Sequence, residues 1–175
     1  MVARLSWQFG ALIGVMWMAE VTLANLGGTP VLGSLGAFRG LAPLFALAAV
    51  ACTMLGGYAA AHRTGSMRSA IYVGIWSGLI SGAILFVTLM SITVAFHSAM
   101  MLDPSNVHEF ARSAHRPPTS AELSSFLYRD ALGGAVNHLW IGPLLGVTVG
   151  AAGAVAGLAA RPVPTPTHPE STILS

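Results

Sequence analysis

Hydrophobic residues form four long stretches along the chain, and most polar residues lie between these stretches or after the last one. A stretch without any charge runs over 70–95, which exceeds the roughly 20 apolar residues that a helix needs to cross the hydrocarbon core of a bilayer. Apolar stretches of comparable length cover 7–26, 41–61 and 139–160. The pattern predicts an all-α polytopic membrane protein, with these four stretches as the helices of one transmembrane bundle.

The composition supports this assignment and excludes several other classes of protein. Charged residues make up 8% of the chain, whereas about a quarter of a soluble domain is charged. The net charge of +2 is spread along the chain without a basic patch, so we expect a lipid bilayer as its surroundings and no nucleic-acid partner. Cys52 is the single cysteine, which excludes an internal disulfide and a cysteine-based metal cluster.

A polar segment over 97–130 separates the third span from the fourth. Asp103 followed by Pro104 predicts the N-terminus of one short helix in this segment. Thr119 and the glutamate three residues later match a capping box, which predicts a second short helix before the fourth span. The tail over 161–175 is rich in proline and threonine, and we expect it to be disordered.

The ends of the spans predict the orientation of the protein. Four spans place both termini on one side, and the arginines divide equally between the two sides. The N-terminal amine and the short loop with Arg63 and Arg68 favour a cytoplasmic location for the termini, because basic residues in short loops stay inside. Trp7 and Trp140 are expected at the membrane–water interface, where tryptophan is enriched. The sequence thus predicts a multi-pass protein of the cytoplasmic membrane with segment 97–130 outside.

Glycines recur at a spacing of four residues in the spans, which places them on one face of each helix. Such faces let the backbones of neighbouring helices approach closely. We expect them first to pack the four helices of one chain, and second to offer a face to another copy or another membrane protein. The predicted packing positions are Gly10, Gly14, Gly56, Gly74, Gly78, Gly82, Gly142, Gly146 and Gly150.

Glu20 is an acidic residue within the first span. Placing a carboxyl group inside a membrane costs free energy, so such a residue is by default a candidate functional residue. Glu20 could carry a proton, pair with a cation or bind a substrate amine. Alternatively it is merely protonated, or hydrogen-bonded to a polar side chain such as Asn25, Thr88 or Ser91.

Two histidines stand at the ends of spans, His97 after the third and His138 before the fourth. If adjacent at the outer interface, they could bind a haem iron or a divalent metal, with His108, Glu109 and His115 as further ligands. Interfacial histidines can equally be ordinary polar tips. The span boundaries place Glu20 about 10 Å deeper than His138, so we expect them to belong to separate sites.

The second and third spans carry the one resemblance to known proteins. The residues from Gly56 to Arg63, GGYAAAHR, and the glycines that follow at 74, 78 and 82 resemble small four-span prokaryotic membrane proteins known only as domains of unknown function. The similarity covers about a quarter of the chain. It implies the four-span fold and a cell-membrane location, and it implies no activity.

Three functions are compatible with this sequence, and no catalytic motif favours an enzyme. The first is a non-enzymatic accessory or scaffold subunit that contacts other membrane proteins through its glycine-rich faces and outer segment. The second is a haem- or metal-binding redox protein that uses His97 and His138. The third is a small transporter or channel that uses Glu20.

Overall fold

Four long helices dominate the computed structural model, which describes residues 1–162. All four are long and apolar enough to cross a membrane. This confirms the all-α fold with four candidate spans. The helices are α1 (Val2–Leu26), α2 (Ala42–Thr64), α3 (Met67–Ala95) and α6 (Ser120–Ala159).

Shorter elements lie in the connections between these helices. A 3₁₀ helix, Gly33–Leu41, connects α1 to α2, while α4 (His97–Met101) and α5 (Pro104–Ala114) follow α3. Asp103 caps α5 as its sequence predicts, since its side chain accepts a hydrogen bond from the Ser105 N–H. The predicted disordered tail lies, from residue 163 onward, outside the described residues.

The long helices form a bundle in which α3 and α2 each pack between α1 and α6. A tight turn at Gly65, whose φ of 69° is left-handed, joins α2 to α3 as an antiparallel hairpin. The Arg161 guanidinium lies against Gly65, so the chain after α6 returns to this turn. We call the end of the bundle with Met1 and Gly65 the N-terminal end, and the opposite end the loop end.

Backbone contact between glycines holds α3 against α6. Gly74 faces Gly146 and Gly78 faces Gly142, and a Cβ atom added at any of the four would overlap the opposite backbone. In lipid, helices associate largely through such close packing, because the surrounding acyl chains are as apolar as the helices. The two pairs therefore define the place where the α3 and α6 backbones approach most closely in this structure.

The remaining predicted glycines also face helices of the same chain. Gly10 and Gly14 accommodate Ile80 and Ile84 of α3. On α2, Gly56 lies under the Phe9 ring; its neighbour Gly57 touches the backbone of Gly150 on α6. A partner protein would thus find these glycines already covered by the chain's own helices.

The second predicted short helix and the fourth predicted span form one continuous helix of 40 residues. The capping box at Thr119 starts it, as its sequence indicates, but the helix runs on through Gly133 and Gly134. The reason is tertiary packing, since Ala131 and Ala135 are buried against Leu89 of α3. Packing of this kind overrides the weak helix propensity of glycine.

Asp103 connects the start of α5 to the loop between α1 and α2. Its side chain is 3% exposed and accepts hydrogen bonds from the Ser105 N–H and hydroxyl. Its other oxygen lies against Gly28 and 3.8 Å from an Arg39 nitrogen. Arg39 also donates to the Ser105 hydroxyl at 3.2 Å. The two loops at the loop end are therefore held together by one buried carboxylate.

Replacing Gly78 by alanine should lower the free energy of unfolding in detergent by roughly 1–3 kcal/mol, the usual cost of overpacking. The added methyl meets the α6 backbone at Gly142, which cannot rotate away as a side chain can. Gly133→Ala is the matched control, because nothing lies within 4 Å of a Cβ at that helical position. It should leave stability unchanged or raise it by up to about 1 kcal/mol. Equal effects of the two substitutions would contradict the packing described here.

Candidate functional site

The relative depths of Glu20 and His138 are the reverse of those predicted. Gly14 contacts Ile84 and α1 runs parallel to α3, so Glu20 lies level with the last turns of α3. His138 lies against Gly82, further from the loop end. The helix rise makes the His138 backbone roughly 12 Å deeper than that of Glu20. The prediction was wrong because α6 starts at Ser120, which puts His138 well inside this helix rather than at its end.

The two side chains nevertheless converge in the bundle. The Cα–Cβ bonds of a helix tilt toward its N-terminus, and α1 and α6 are antiparallel. The Glu20 side chain therefore leans away from the loop end, while the His138 side chain leans toward it. The His138 ring meets the ring of Trp17, which stands one helical turn before Glu20 on α1. Glu20 and His138 are both half-buried, and the structure sets the His138 ring against the α1 turn that precedes Glu20.

Trp17 completes the immediate surroundings of His138. The edge of one ring meets the face of the other, with centroids 5.1 Å apart and planes at 73°. Trp17 precedes Glu20 by three residues, so both lie on one face of α1.

One hydrogen bond defines the protonation chemistry of His138. Its Nδ1 lies 2.9 Å from the carbonyl oxygen of Gly134. A carbonyl can only accept, so Nδ1 carries the hydrogen and Nε2 is the nitrogen that can bind a further proton. Glu20 and His138 are thus a carboxyl and an imidazole able to hold a proton in turn.

A small cavity with a mostly apolar lining lies between the helices and reaches Trp17. Its lining includes Trp17, Thr53 and Ser81, and its volume is about 10 Å³. Thr53 donates to the Ala49 carbonyl and Ser81 to the Gly78 carbonyl, so each hydroxyl oxygen keeps lone pairs that can accept. A space of this size is at the lower limit for one water molecule. The cavity can serve a proton or a single water rather than a larger solute.

His97 lies elsewhere, at the loop end. Its Nε2 is 3.0 Å from the Ser124 hydroxyl and its ring stacks on Tyr128 at 4.8 Å. Tyr128 precedes His138 by ten residues on α6, which corresponds to about 15 Å along the helix. The structure therefore does not bring His97 and His138 to one metal ion.

The other proposed metal ligands do not assemble around either histidine. His108 and Glu109 are exposed on α5, and His115 follows its end. Within residues 1–162, no group of three or more His, Cys, Asp or Glu side chains is placed to hold a metal ion.

The polar residues that were expected to hydrogen-bond with Glu20 have other partners or lie elsewhere. Asn25 donates to the Val21 carbonyl and Thr88 to the Ile84 carbonyl, each within its own helix. Ser91 is exposed on α3. The sequence missed His138 as a neighbour of Glu20 because the register between α1 and α6 is not visible in either helix alone.

A double-mutant cycle should detect the interaction between Glu20 and His138. We expect Glu20→Gln and His138→Asn to be non-additive, with a coupling of about 0.5–3 kcal/mol in the free energy of unfolding in detergent. His62→Asn is the control partner for Glu20→Gln, because His62 stacks on Tyr58 near the N-terminal end. That pair should be additive. Additivity of both pairs would show that Glu20 and His138 do not interact.

Comparison with known proteins adds nothing to this geometry. No family profile, curated protein or solved structure matches the chain. The resemblance to four-span prokaryotic membrane proteins therefore stays a prediction that depends on the second and third spans. The structural finding is a bundle with four helices long and apolar enough to cross a membrane, in which the His138 ring packs on Trp17.

Proposed function

We propose that this chain is a small proton-binding transport protein of the prokaryotic cytoplasmic membrane, and that Glu20 and His138 form its proton-binding pair. The observation that supports this most directly is the convergence of the two side chains from antiparallel helices. Carboxyl and histidine side chains inside membrane bundles commonly form proton relays. Histidine also changes charge near neutral pH, so a small change in its surroundings switches its protonation state.

The packing of the bundle supports a proton rather than a larger solute as the transported species. The glycine contacts leave only about 10 Å³ of free volume beside Trp17, and Trp17 itself covers one side of His138. A proton can pass through such a site by exchange between Glu20, His138 and one water.

We propose that the N-terminal end of the bundle faces the cytoplasm. The short turn at this end contains Arg63 and Arg68, and Arg161 lies against it. Basic residues close to the ends of spans favour the cytoplasmic side. In whole cells, an impermeant thiol reagent should therefore label a cysteine placed at Ser113 in α5 and spare one placed at Ser66, each in a Cys52→Ser background.

Proton flux into vesicles tests the proposed function. Purified protein in liposomes should acidify the interior, read by a trapped pH-sensitive dye, when valinomycin and a potassium gradient impose an inside-negative potential. Glu20→Gln and His138→Asn should each reduce the flux to that of protein-free vesicles, because either change removes a proton-binding group. His62→Asn should keep the wild-type flux.

Folding of every variant is checked by its thermal unfolding in detergent before the flux is interpreted. Wild-type vesicles that conduct no more than protein-free vesicles would overturn the transport proposal. Flux that persists in Glu20→Gln would instead overturn the assignment of the pair.

The second candidate function is that of an accessory subunit, which would contact its partner through a surface other than the glycine rows. The glycine rows are covered within the chain, so a partner would bind elsewhere on the lipid-facing surface or at the loop end. The exposed tryptophans favour such contacts, since Trp140 is 77% exposed and Trp7 66% exposed. Purification from native membranes in a gentle detergent, followed by mass spectrometry, tests this candidate. Stoichiometric partner proteins would support it, and a particle of this chain alone would contradict it.

The same purified particle tests the haem alternative. His97 and His138 lie too far apart to share one iron, so a haem in this chain would use at most one of them. A visible absorption spectrum with a Soret band would establish haem, and mutation of each histidine would then identify the ligand.

A further inference from the structure

The N-terminal end of the bundle carries one arginine from each of the four long helices. Arg4 lies in the first turn of α1 and Arg68 in the first turn of α3. Arg63 lies in the last turn of α2, and Arg161 follows the end of α6. All four residues are exposed. We call these four arginines the basic cluster.

The acidic residues in the part of the chain that the structure describes lie far from the basic cluster. Glu20 is sixteen residues from Arg4 on α1, or about 24 Å along the helix. The other acids lie at the loop end, where arginines match them in number. The loop-end acids are Asp103, Glu109, Glu122 and Asp130, and the arginines there are Arg39, Arg112, Arg116 and Arg129. The acids and arginines of the loop end therefore cancel, whereas the basic cluster has a charge of +4 from its four arginines.

Contacts within the bundle bring the four arginines to one surface. The guanidinium of Arg161 lies against the turn between Arg63 and Arg68. Arg4 joins them because its neighbour Leu5 is buried against the adjoining ends of α2 and α3. Within residues 1–162, the ion pairs use other arginines, and no carboxylate neutralises a member of the cluster.

Two positions in the basic cluster are electrostatically unfavourable within the chain itself. The N-terminus of a helix carries a partial positive charge, to which Arg4 and Arg68 add a full charge in the first turns of α1 and α3. Neither first turn contains an acidic residue that would offset this charge. An anion from outside the chain would offset both the arginines and the helix dipoles.

We propose that the basic cluster binds the headgroups of anionic phospholipids in the leaflet that it faces. A guanidinium binds a phosphate group through paired, charge-assisted hydrogen bonds. The depth is suitable, because Tyr72 lies one turn after Arg68 and is 48% exposed, and tyrosine is enriched at the membrane–water interface. A zwitterionic headgroup neutralises its own phosphate with an amine, so it offers the cluster no net charge.

The proposed orientation of the chain makes this leaflet the cytoplasmic one, where anionic lipids attract basic residues close to a span. The positive-inside tendency explains which leaflet the cluster meets, and the binding of particular lipids goes beyond it. Neither Glu20 nor His138 takes part in this binding. The lipid preference can therefore be tested separately from proton transport, and it should persist in Glu20→Gln.

Native mass spectrometry of the purified full chain tests the preference. The protein is incubated in detergent with equal amounts of phosphatidylglycerol and phosphatidylethanolamine that have identical acyl chains. We expect the wild type to retain at least about fivefold more phosphatidylglycerol, the factor that corresponds to one basic residue near an anionic surface.

Paired substitutions locate the preference on the structure. Arg63→Gln with Arg68→Gln should lower it at least about fivefold. Arg63→Lys with Arg68→Lys should keep it, because lysine retains the charge. Arg112→Gln with Arg129→Gln is the matched control, since it removes the same charge from the loop end and should leave the preference unchanged.

Thermal unfolding in detergent verifies that each variant is folded before its bound lipids are compared. Arg4→Gln with Arg161→Gln removes the same charge from the other two members of the cluster and has the same expected result. The proposal therefore stays testable if the pair in the turn fails to fold.

Four results would overturn the proposal. The first is equal retention of the two lipids by the wild type. The second is an equal loss of preference in the cluster pair and in the loop-end control. The third is displacement of phosphatidylglycerol by inorganic phosphate at the same concentration, which would make the cluster a site for soluble anions. The fourth is a preference found only in a chain shortened to Pro162, which would make the segment with Glu170 the occupant.

Discussion

The direct contact of the α3 and α6 backbones at two glycine pairs is the constraint on which the rest of the structure depends. Within a bilayer the hydrophobic effect does not draw apolar helices together, so close approach and van der Waals contact must do so. Gly74 with Gly146 and Gly78 with Gly142 permit an approach that any side chain would prevent. Helix α1 then packs on α3 through its own glycines, and α2 packs on α6. The depth of every polar group in the bundle follows from these registers.

The candidate site is a consequence of register rather than of local sequence. A slip of α6 by one turn would move His138 by about 5.4 Å relative to α3 and α1, which would break its ring contact with Trp17, whose centroid lies 5.1 Å away. In the observed register the glycine pairs set the backbone of His138 against Gly82. Tight packing and the acid–imidazole pair are therefore linked, although none of the four paired glycines lies on α1.

Much of the architecture could be predicted from the sequence because hydropathy reports directly on spans. The four apolar stretches, the Asp103 cap and the capping box at Thr119 all have structural counterparts. The depth of individual side chains in the bundle was harder to predict from the sequence. Apolar content alone placed the start of the fourth span at residue 139, whereas the helix begins at its cap at Thr119. The late predicted start placed His138 and Trp140 too close to the interface, so the sequence did not indicate that His138 lies near the part of α1 that carries Glu20. Contacts between helices depend on pairs of faces, and a pattern within one helix does not specify its partner.

The continuous length of α6 has a mechanical consequence. Forty residues extend about 60 Å, twice the roughly 30 Å of the hydrocarbon core. The loop-end part of α6 is held to α5 by the edge-to-face contact of Phe126 with Phe110 at 5.6 Å. Pro143 lies inside α6 and removes one backbone hydrogen bond of the helix, so a tilt imposed on α5 reaches the part of α6 that carries His138 before it meets this break. The loop end and His138 thus share one stretch of α6 without proline, over 120–142, whereas the rest of the helix up to Ala159 lies beyond Pro143.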